Sequence, residues 1–185
     1  MPFEACLPVI LASEGGFVDD PADPGGATNL GVTRATLSSW LGRPASIADV
    51  EALTPAVVAP LYRARYWNPS HAGDCPPGVD LMVFDEAVNQ GVGGALATLQ
   101  SALGVAADGA FGSGTSAALA AADPARLIHA IATDREAHYR ALPGFRRFGH
   151  GWLARLAHTT DLALGMTTSP QPVHSSGSHD LGCKQ

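Results

Sequence analysis

Ser13-Glu14-Gly15-Gly16, followed by Asp19, Asp20, Asp23, Gly25-Gly26, Thr28 and Gly31, holds the residue types and spacing best suited to chemistry. Phe3, Leu7, Ile10, Leu11 and Glu14 recur at i, i+4, i+7, i+8 and i+11. That is one face of a helix, which Gly15 and Gly16 terminate, so Glu14 sits on the apolar face at the helix end. A carboxylic acid placed there, facing a glycine-rich lobe, is expected to be desolvated and so to stay protonated near neutral pH. Such a group can donate a proton to a glycosidic oxygen. Hydrolysis also needs a group that holds or activates water, and Asp23 and Thr28 lie across a cleft if the segment after the helix folds back.

These residues need elements to position them. Pro8 either kinks the first helix or marks its real start, because proline removes the hydrogen bond to residue 4. From Gly15 to Gly31, Asp20-Pro21, Asp23-Pro24 and Gly25-Gly26 punctuate short extended pieces such as Phe17-Val18, a hairpin-like lobe. Thr33 can cap a helix running to Trp40-Leu41, and Thr54-Pro55 can start another carrying Leu61, Tyr62, Tyr66 and Trp67. Val79 to Ala87 and Leu96 to Leu103 keep a helical period, and two longer helices are expected at 124 to 141 and 145 to 164, divided by Pro143-Gly144. The expectation is a mainly α, two-lobed fold with a small β-hairpin near the N-terminus. Residues 167 to 185 are rich in Ser, Gly, Pro and His and read as a disordered tail.

Glu14-Gly15-Gly16-Phe17, then Asp23-Pro24-Gly25-Gly26-Ala27-Thr28-Asn29-Leu30-Gly31-Val32, resembles the opening of the glycoside hydrolase 108 lysozymes, a family of phage endolysins and secretion-activator muramidases. The resemblance extends through Leu61-Tyr62-Arg63, Tyr66-Trp67, Phe84-Asp85-x-Ala87-Val88-Asn89-x-Gly91 and Phe148-Gly149-x-Gly151-Trp152-Leu153-x-Arg155, covering about 3 to 160. It implies a lysozyme-like fold and hydrolysis of the β-1,4 bond between N-acetylmuramic acid and N-acetylglucosamine in peptidoglycan, with Glu14 in the place of the family's essential glutamate. The order Glu, eight residues, Asp, four residues, Thr also resembles the catalytic triad of phage lysozymes, whose second gap is one residue longer. Asp19 or Asp20 can therefore substitute for Asp23. Leu99-Gln100-x-x-Leu103-Gly104, then Asp108-Gly109-x-Phe111-Gly112-x-x-Thr115, resembles the core of peptidoglycan-binding helical modules, although a tight Asp-Gly turn before a capped helix explains it without any ligand. The implied organisation is a catalytic region at 1–92, a helical peptidoglycan-binding-like region at 93–166 and the tail.

Three further residues are substrate-binding candidates. Asp85 and Asn89, at i and i+4, could present an acceptor and an amide to a sugar N-acetyl group. Trp67 is read as a cleft residue that stacks on a sugar ring, and Tyr66 as core.

The 185 residues and 19.0 kDa hold 15% charged and 46% hydrophobic residues, enough for a sizeable core. A net charge of -6 argues against nucleic-acid binding. Six arginines between 126 and 158, against Asp134 and Glu136, suggest weak attraction to an anionic wall polymer. Cys6, Cys75 and Cys183 form neither a disulfide framework nor a zinc pattern, and His129, Asp134 and His138 lack the spacing of a metal triad, so no metal or cofactor is expected. No leader or membrane span is evident. The expectation is a monomer made in the cytoplasm, without stable membrane insertion, that reaches the wall through a holin or other release system. The alternatives are a lytic transglycosylase and a noncatalytic wall-binding or secretion-assisting protein.

Overall fold

The structure is a computed structural model and describes residues 2–19 and 26–168. Asp20, Asp23 and residues 169–185, which include most of the expected tail, lie outside the described residues. Helix α1 spans Phe3–Glu14 with Pro8 inside it and buries Phe3, Cys6, Leu7, Ile10 and Leu11, the face that the periodicity marks. Gly15 ends it at φ 78°. After Val18, which pairs with Thr28, β1 (Thr28–Asn29) and β2 (Val32–Thr33) form an antiparallel pair with Thr28 opposite Thr33 and Asn29 opposite Val32. Leu30 and Gly31, both at positive φ, make the two-residue turn whose twist suits such a hairpin. Thr33 then caps α2 (Arg34–Leu41) by accepting a hydrogen bond from the Thr36 amide.

Helix α3 (Ile47–Glu51) was not among the expected elements. Its signal is Ser46-x-x-Asp49, a reciprocal capping box that stabilises a helix of only five residues. Helix α4 (Pro55–Tyr62) starts at the expected Thr54-Pro55. It continues as a π turn over Arg63–Trp67, closed by the Asn68 amide donating to the Arg63 carbonyl at 2.9 Å. This wider turn corrects the assignment of Trp67, while Tyr66 packs against the core at its edge. Inserting one residue into the helical register carries Trp67 onto the buried side and leaves Tyr66 half-buried. Trp67 packs edge-on against Phe3 and Phe84, with ring centroids at 5.5 and 5.2 Å, and no longer faces a cleft.

Helix α5 (Val79–Gln90) is the central element, with every residue from Val79 to Ala87 buried. Helices α1 and the π turn pack on it, as do α6 (Val92–Ala102), α8 (Pro124–Ala141) and α9 (Phe145–Thr167), while α7 (Ser113–Ala121) follows the Asp108-Gly109 turn. Gly78 introduces α5 at φ 87°, and a Cβ there would lie 2.3 Å from the Ala163 carbonyl oxygen of α9, so only glycine permits this approach. Helices α8 and α9 fall where the pattern places them, α9 running three residues further than expected. Among the described residues, no helix is long and apolar enough to cross a membrane. Burial pushes the Cys6 and Cys75 thiols up to about 12, aided by the Asp80 carboxylate, which leaves both as inert core groups.

Because Trp67 is a core residue, Trp67→Ala should lower unfolding free energy by about 3–5 kcal/mol. Urea titration checks this, and a variant of unchanged stability with weaker glycan binding would restore the cleft assignment.

Candidate functional site

Glu14 is the last residue of α1, and its side chain is 18% exposed. The expected apolar surroundings are not what encloses it. Its Oε1 accepts a hydrogen bond from Nη2 of Arg155 at 2.9 Å, across 141 residues of sequence. The hairpin turn closes the other side. A Cβ on Gly31 would lie 2.8 Å from Glu14 Oε2 and 2.5 Å from the Tyr62 hydroxyl oxygen. Tyr62 donates to the Leu30 carbonyl at 2.8 Å, and burial, reinforced by the Glu14 carboxylate, pushes its phenol up, so it remains a neutral donor. Leu30 itself sits at φ 49°, a strained conformation for a leucine, and the Tyr62 bond is one of the constraints that hold it there. Asn29 fixes the hairpin from below, its buried amide donating to the carbonyls of Val50 and Glu51 at 3.0 and 3.1 Å, at the end of α3.

Arg155 does not serve Glu14 alone. Its Nη2 and Nε also donate to Asp85 Oδ1 at 3.0 and 3.3 Å. Asp85 Oδ2 accepts from Arg135 Nη2 at 2.7 Å, and the same Nη2 lies 3.0 Å from the Tyr139 hydroxyl. Behind this, Glu86 Oε1 accepts from Thr98 at 2.7 Å, while Glu86 Oε2 and Arg135 Nε face each other at 3.8 Å without a hydrogen bond. Asp85, Glu86 and Arg135 are essentially inaccessible. Two guanidinium groups therefore balance Glu14 and Asp85, and Glu86 is a third carboxyl without a charge of its own to answer. Burial above all pushes it up to about 7, with the nearby Arg135 acting in the opposite sense.

The sequence-derived candidates separate accordingly. Glu14 and Asp85 are brought together through one guanidinium nitrogen, within about 6 Å of each other. Asp85, however, is buried with both oxygens occupied, so it does not present an acceptor to solvent. Asn89 is exposed and its amide donates to the Asp85 backbone carbonyl at 2.7 Å, so the i, i+4 pair faces two directions rather than one. Thr28 is half-buried on β1, its hydroxyl 3.3 Å from the Gly26 carbonyl oxygen. Asp19 is exposed next to the Val18–Thr28 bridge, and Asp20 and Asp23 fall outside the described residues. Arg135 and Arg155 come from helices far along the chain; Arg155 closes the last motif of the family resemblance, whereas Arg135 belongs to none. The arginine excess in 126 to 158 suggested attraction to an anionic wall polymer, but Arg135 is buried and Arg155 half-buried, both turned to carboxylates of the protein itself.

A groove of about 810 Å³ runs between α1 and α4, lined mainly by apolar and small residues such as Leu7, Pro8, Leu11, Ala59 and Pro60, and does not include Glu14. Among the described residues, no group of His, Cys, Asp and Glu is arranged to hold a metal ion. The Gln100 motif is a structural device: its buried amide donates to Asp108, Ala110 and Thr115 and accepts from the Gly109 amide at 2.8 Å, holding the turn. Phe111 then stacks on His71 at 4.3 Å, joining this turn to the segment before α5.

A helical body with a small hairpin folded over a helix-end glutamate is a lysozyme-like arrangement. Residues 7–91 match the family model described as Glycosyl hydrolase 108, and residues 94–157 match one described as a predicted peptidoglycan domain. The structure of Brucella abortus SagA is similar over 90% of this chain and 96% of its own, at 40% identity and a TM-score of 0.80. No curated protein matches. The chain belongs to the glycosyl hydrolase 108 family, and its function is the lysozyme-like hydrolysis of peptidoglycan. The noncatalytic alternative is thereby set aside.

Gly31→Ala should drive its methyl group into Glu14 and Tyr62 and lower the cleavage rate by roughly tenfold or more. Gly26→Ala carries similar backbone strain at φ 65° but meets nothing within 4 Å, so it should cost only about 1–2 kcal/mol of stability and retain activity. Equal activity in the two variants would contradict the contact. Glu86 is protonated in the folded state over a range where the unfolded chain is ionised, so its contribution to stability is present below about 4.5 and is lost as pH rises to about 7. Glu86→Gln should therefore gain stability relative to wild type across that window, by at most about 3 kcal/mol, and then level off. Urea melts from pH 4 to 8 measure it.

Proposed function

We propose that the enzyme hydrolyses the β-1,4 bond between N-acetylmuramic acid and N-acetylglucosamine, with Glu14 as the general acid. The observation that carries this reading is the Glu14 carboxyl, partly open to solvent at the end of α1 yet held on two sides by Arg155 and the Leu30-Gly31 turn. A carboxyl so fixed can meet a glycosidic oxygen in one orientation, which is what proton transfer to a leaving group requires. Bond cleavage then leaves positive charge on the sugar ring, and Glu14, having lost its proton, stands beside it as an anion.

Capture of water completes hydrolysis. In this reading Asp23 and Thr28 hold that water, with Thr28 on β1 supporting the placement of its hydroxyl on the hairpin side of the site. Asp19 and Asp20 are the alternative carboxylates. A separation of ~6.5–9.5 Å between Glu14 and the second carboxyl would give inversion at the sugar, and one near ~5 Å retention. Asn89, exposed beyond α5's buried stretch, is the remaining candidate for contact with an N-acetyl group.

Digestion of purified peptidoglycan by wild type and Glu14→Gln tests the reading, with reducing ends quantified and fragments weighed. Wild type should release fragments with reducing muramic acid ends, and Glu14→Gln should lose at least about a hundredfold in rate with its fold intact. Fragments bearing 1,6-anhydro ends would instead make the enzyme a lytic transglycosylase, and full activity in Glu14→Gln would remove Glu14 from the mechanism.

A further inference from the structure

Arg155 is a shared donor. One nitrogen, Nη2, lies 2.9 Å from Glu14 Oε1 and 3.0 Å from Asp85 Oδ1, and Nε adds a second contact to Asp85 alone. The guanidinium is thus anchored on Asp85 and reaches Glu14 with what is left over. Asp85 is in turn fixed by Arg135, which is fully buried on α8, donates to its other oxygen at 2.7 Å, and lies against Tyr139. Every polar atom of the Asp85 carboxylate is occupied inside the protein, which leaves it no means of touching the glycan.

We propose that Asp85 and Arg135 are positioning residues for the general acid: together they draw Arg155 away from full pairing with Glu14, so that Glu14 is oriented by the arginine without being committed to it. The inference rests on Glu14 being the acid. A carboxyl that alone faced an arginine at 2.9 Å would favour its ionised form, which cannot donate a proton. Asp85 counters this twice, by competing for the same guanidinium and by placing a second negative charge near Glu14. The groups facing Glu14 are Arg155 from α9 and Tyr62 from α4, with Asp85 from α5 behind the arginine; Arg135, Glu86 and Tyr139 stand behind Asp85. Arg135 and Arg155 both lie within residues 94–157, so this region supplies parts of the catalytic machinery in addition to any wall contact.

The test is the pH dependence of peptidoglycan cleavage by the full chain carrying Asp85→Asn, Arg135→Met or Arg135→Lys, with Glu14→Gln measured in parallel. Asp85→Asn should lower kcat roughly tenfold or more at neutral pH, with KM within about twofold of wild type, and should move the alkaline limb of the profile down by about one pH unit or more. Activity lost at pH 7 should therefore return in part at lower pH, which damage to the fold alone does not produce. Arg135→Met, which leaves Asp85 without its second partner, should lower kcat through lost positioning without moving the alkaline limb down, and Arg135→Lys, which keeps the charge, should recover part of the loss. If Arg135→Met does not fold, Asp85→Asn and Arg135→Lys carry the test. An unshifted profile for Asp85→Asn overturns the inference, as does a raised KM with unchanged kcat, which would mean that Asp85 binds glycan directly. Full activity in Glu14→Gln would instead overturn the reading of Glu14 itself, whatever the Asp85 variant does.

Discussion

Two guanidinium groups between three carboxyls set the constraint on which the rest of this structure depends. Buried charge is tolerated only when it is paired and hydrogen-bonded, and removing one partner of such a pair typically costs about 3–5 kcal/mol. Asp85 meets the condition by giving one oxygen to Arg155 and the other to Arg135. That requirement places α8 and α9 against α5, and it brings α9 past the end of α1, where Arg155 meets Glu14. The same pairing that satisfies the buried charges at the centre of the molecule therefore determines the surroundings of Glu14, the proposed general acid.

The hairpin meets the site from the opposite side under a different constraint. Leu30 and Gly31 both occupy the left-handed region, which suits a two-residue turn and strains the leucine. Tyr62 from α4 and Asn29 from β1 tie that turn to α3 and α4, so the Gly31 backbone can rest directly on Glu14. A larger residue in its place would push the acid aside. Strain at the turn and close contact at Glu14 are one arrangement, not two.

The two regions that family models separate at about residue 92 are not separate in chemistry. Glu14 and Asp85 lie in the first, Arg135 and Arg155 in the second, and neither set is electrically balanced without the other. Gln100 and the stacked pair of Phe111 on His71 serve this union structurally, holding the second region's first turn against the segment leading into α5.

What the sequence by itself determined was local. The apolar face of α1, the caps at Thr33 and Thr54, the extent of α8 and the start of α9, and the position of Glu14 at a helix end all follow from contacts within about four residues, and the motif order pointed to the family. The signals of α3 were also local, in the Ser46 capping box. Tertiary structure alone decided the rest. Whether an arginine on an amphipathic helix faces water or a carboxylate leaves no trace in periodicity, so the arginine excess suggested an outside polymer although Arg135 and Arg155 close internal contacts spanning 50 and 141 residues. Asp85 looked like a ligand because an acid at i and an amide at i+4 fit a sugar, yet the packing of α8 and α9 against α5 took both of its oxygens. Trp67 turned inward because one extra residue in a π turn shifts the register, a choice that depends on the cluster with Phe3 and Phe84 rather than on any neighbouring residue type.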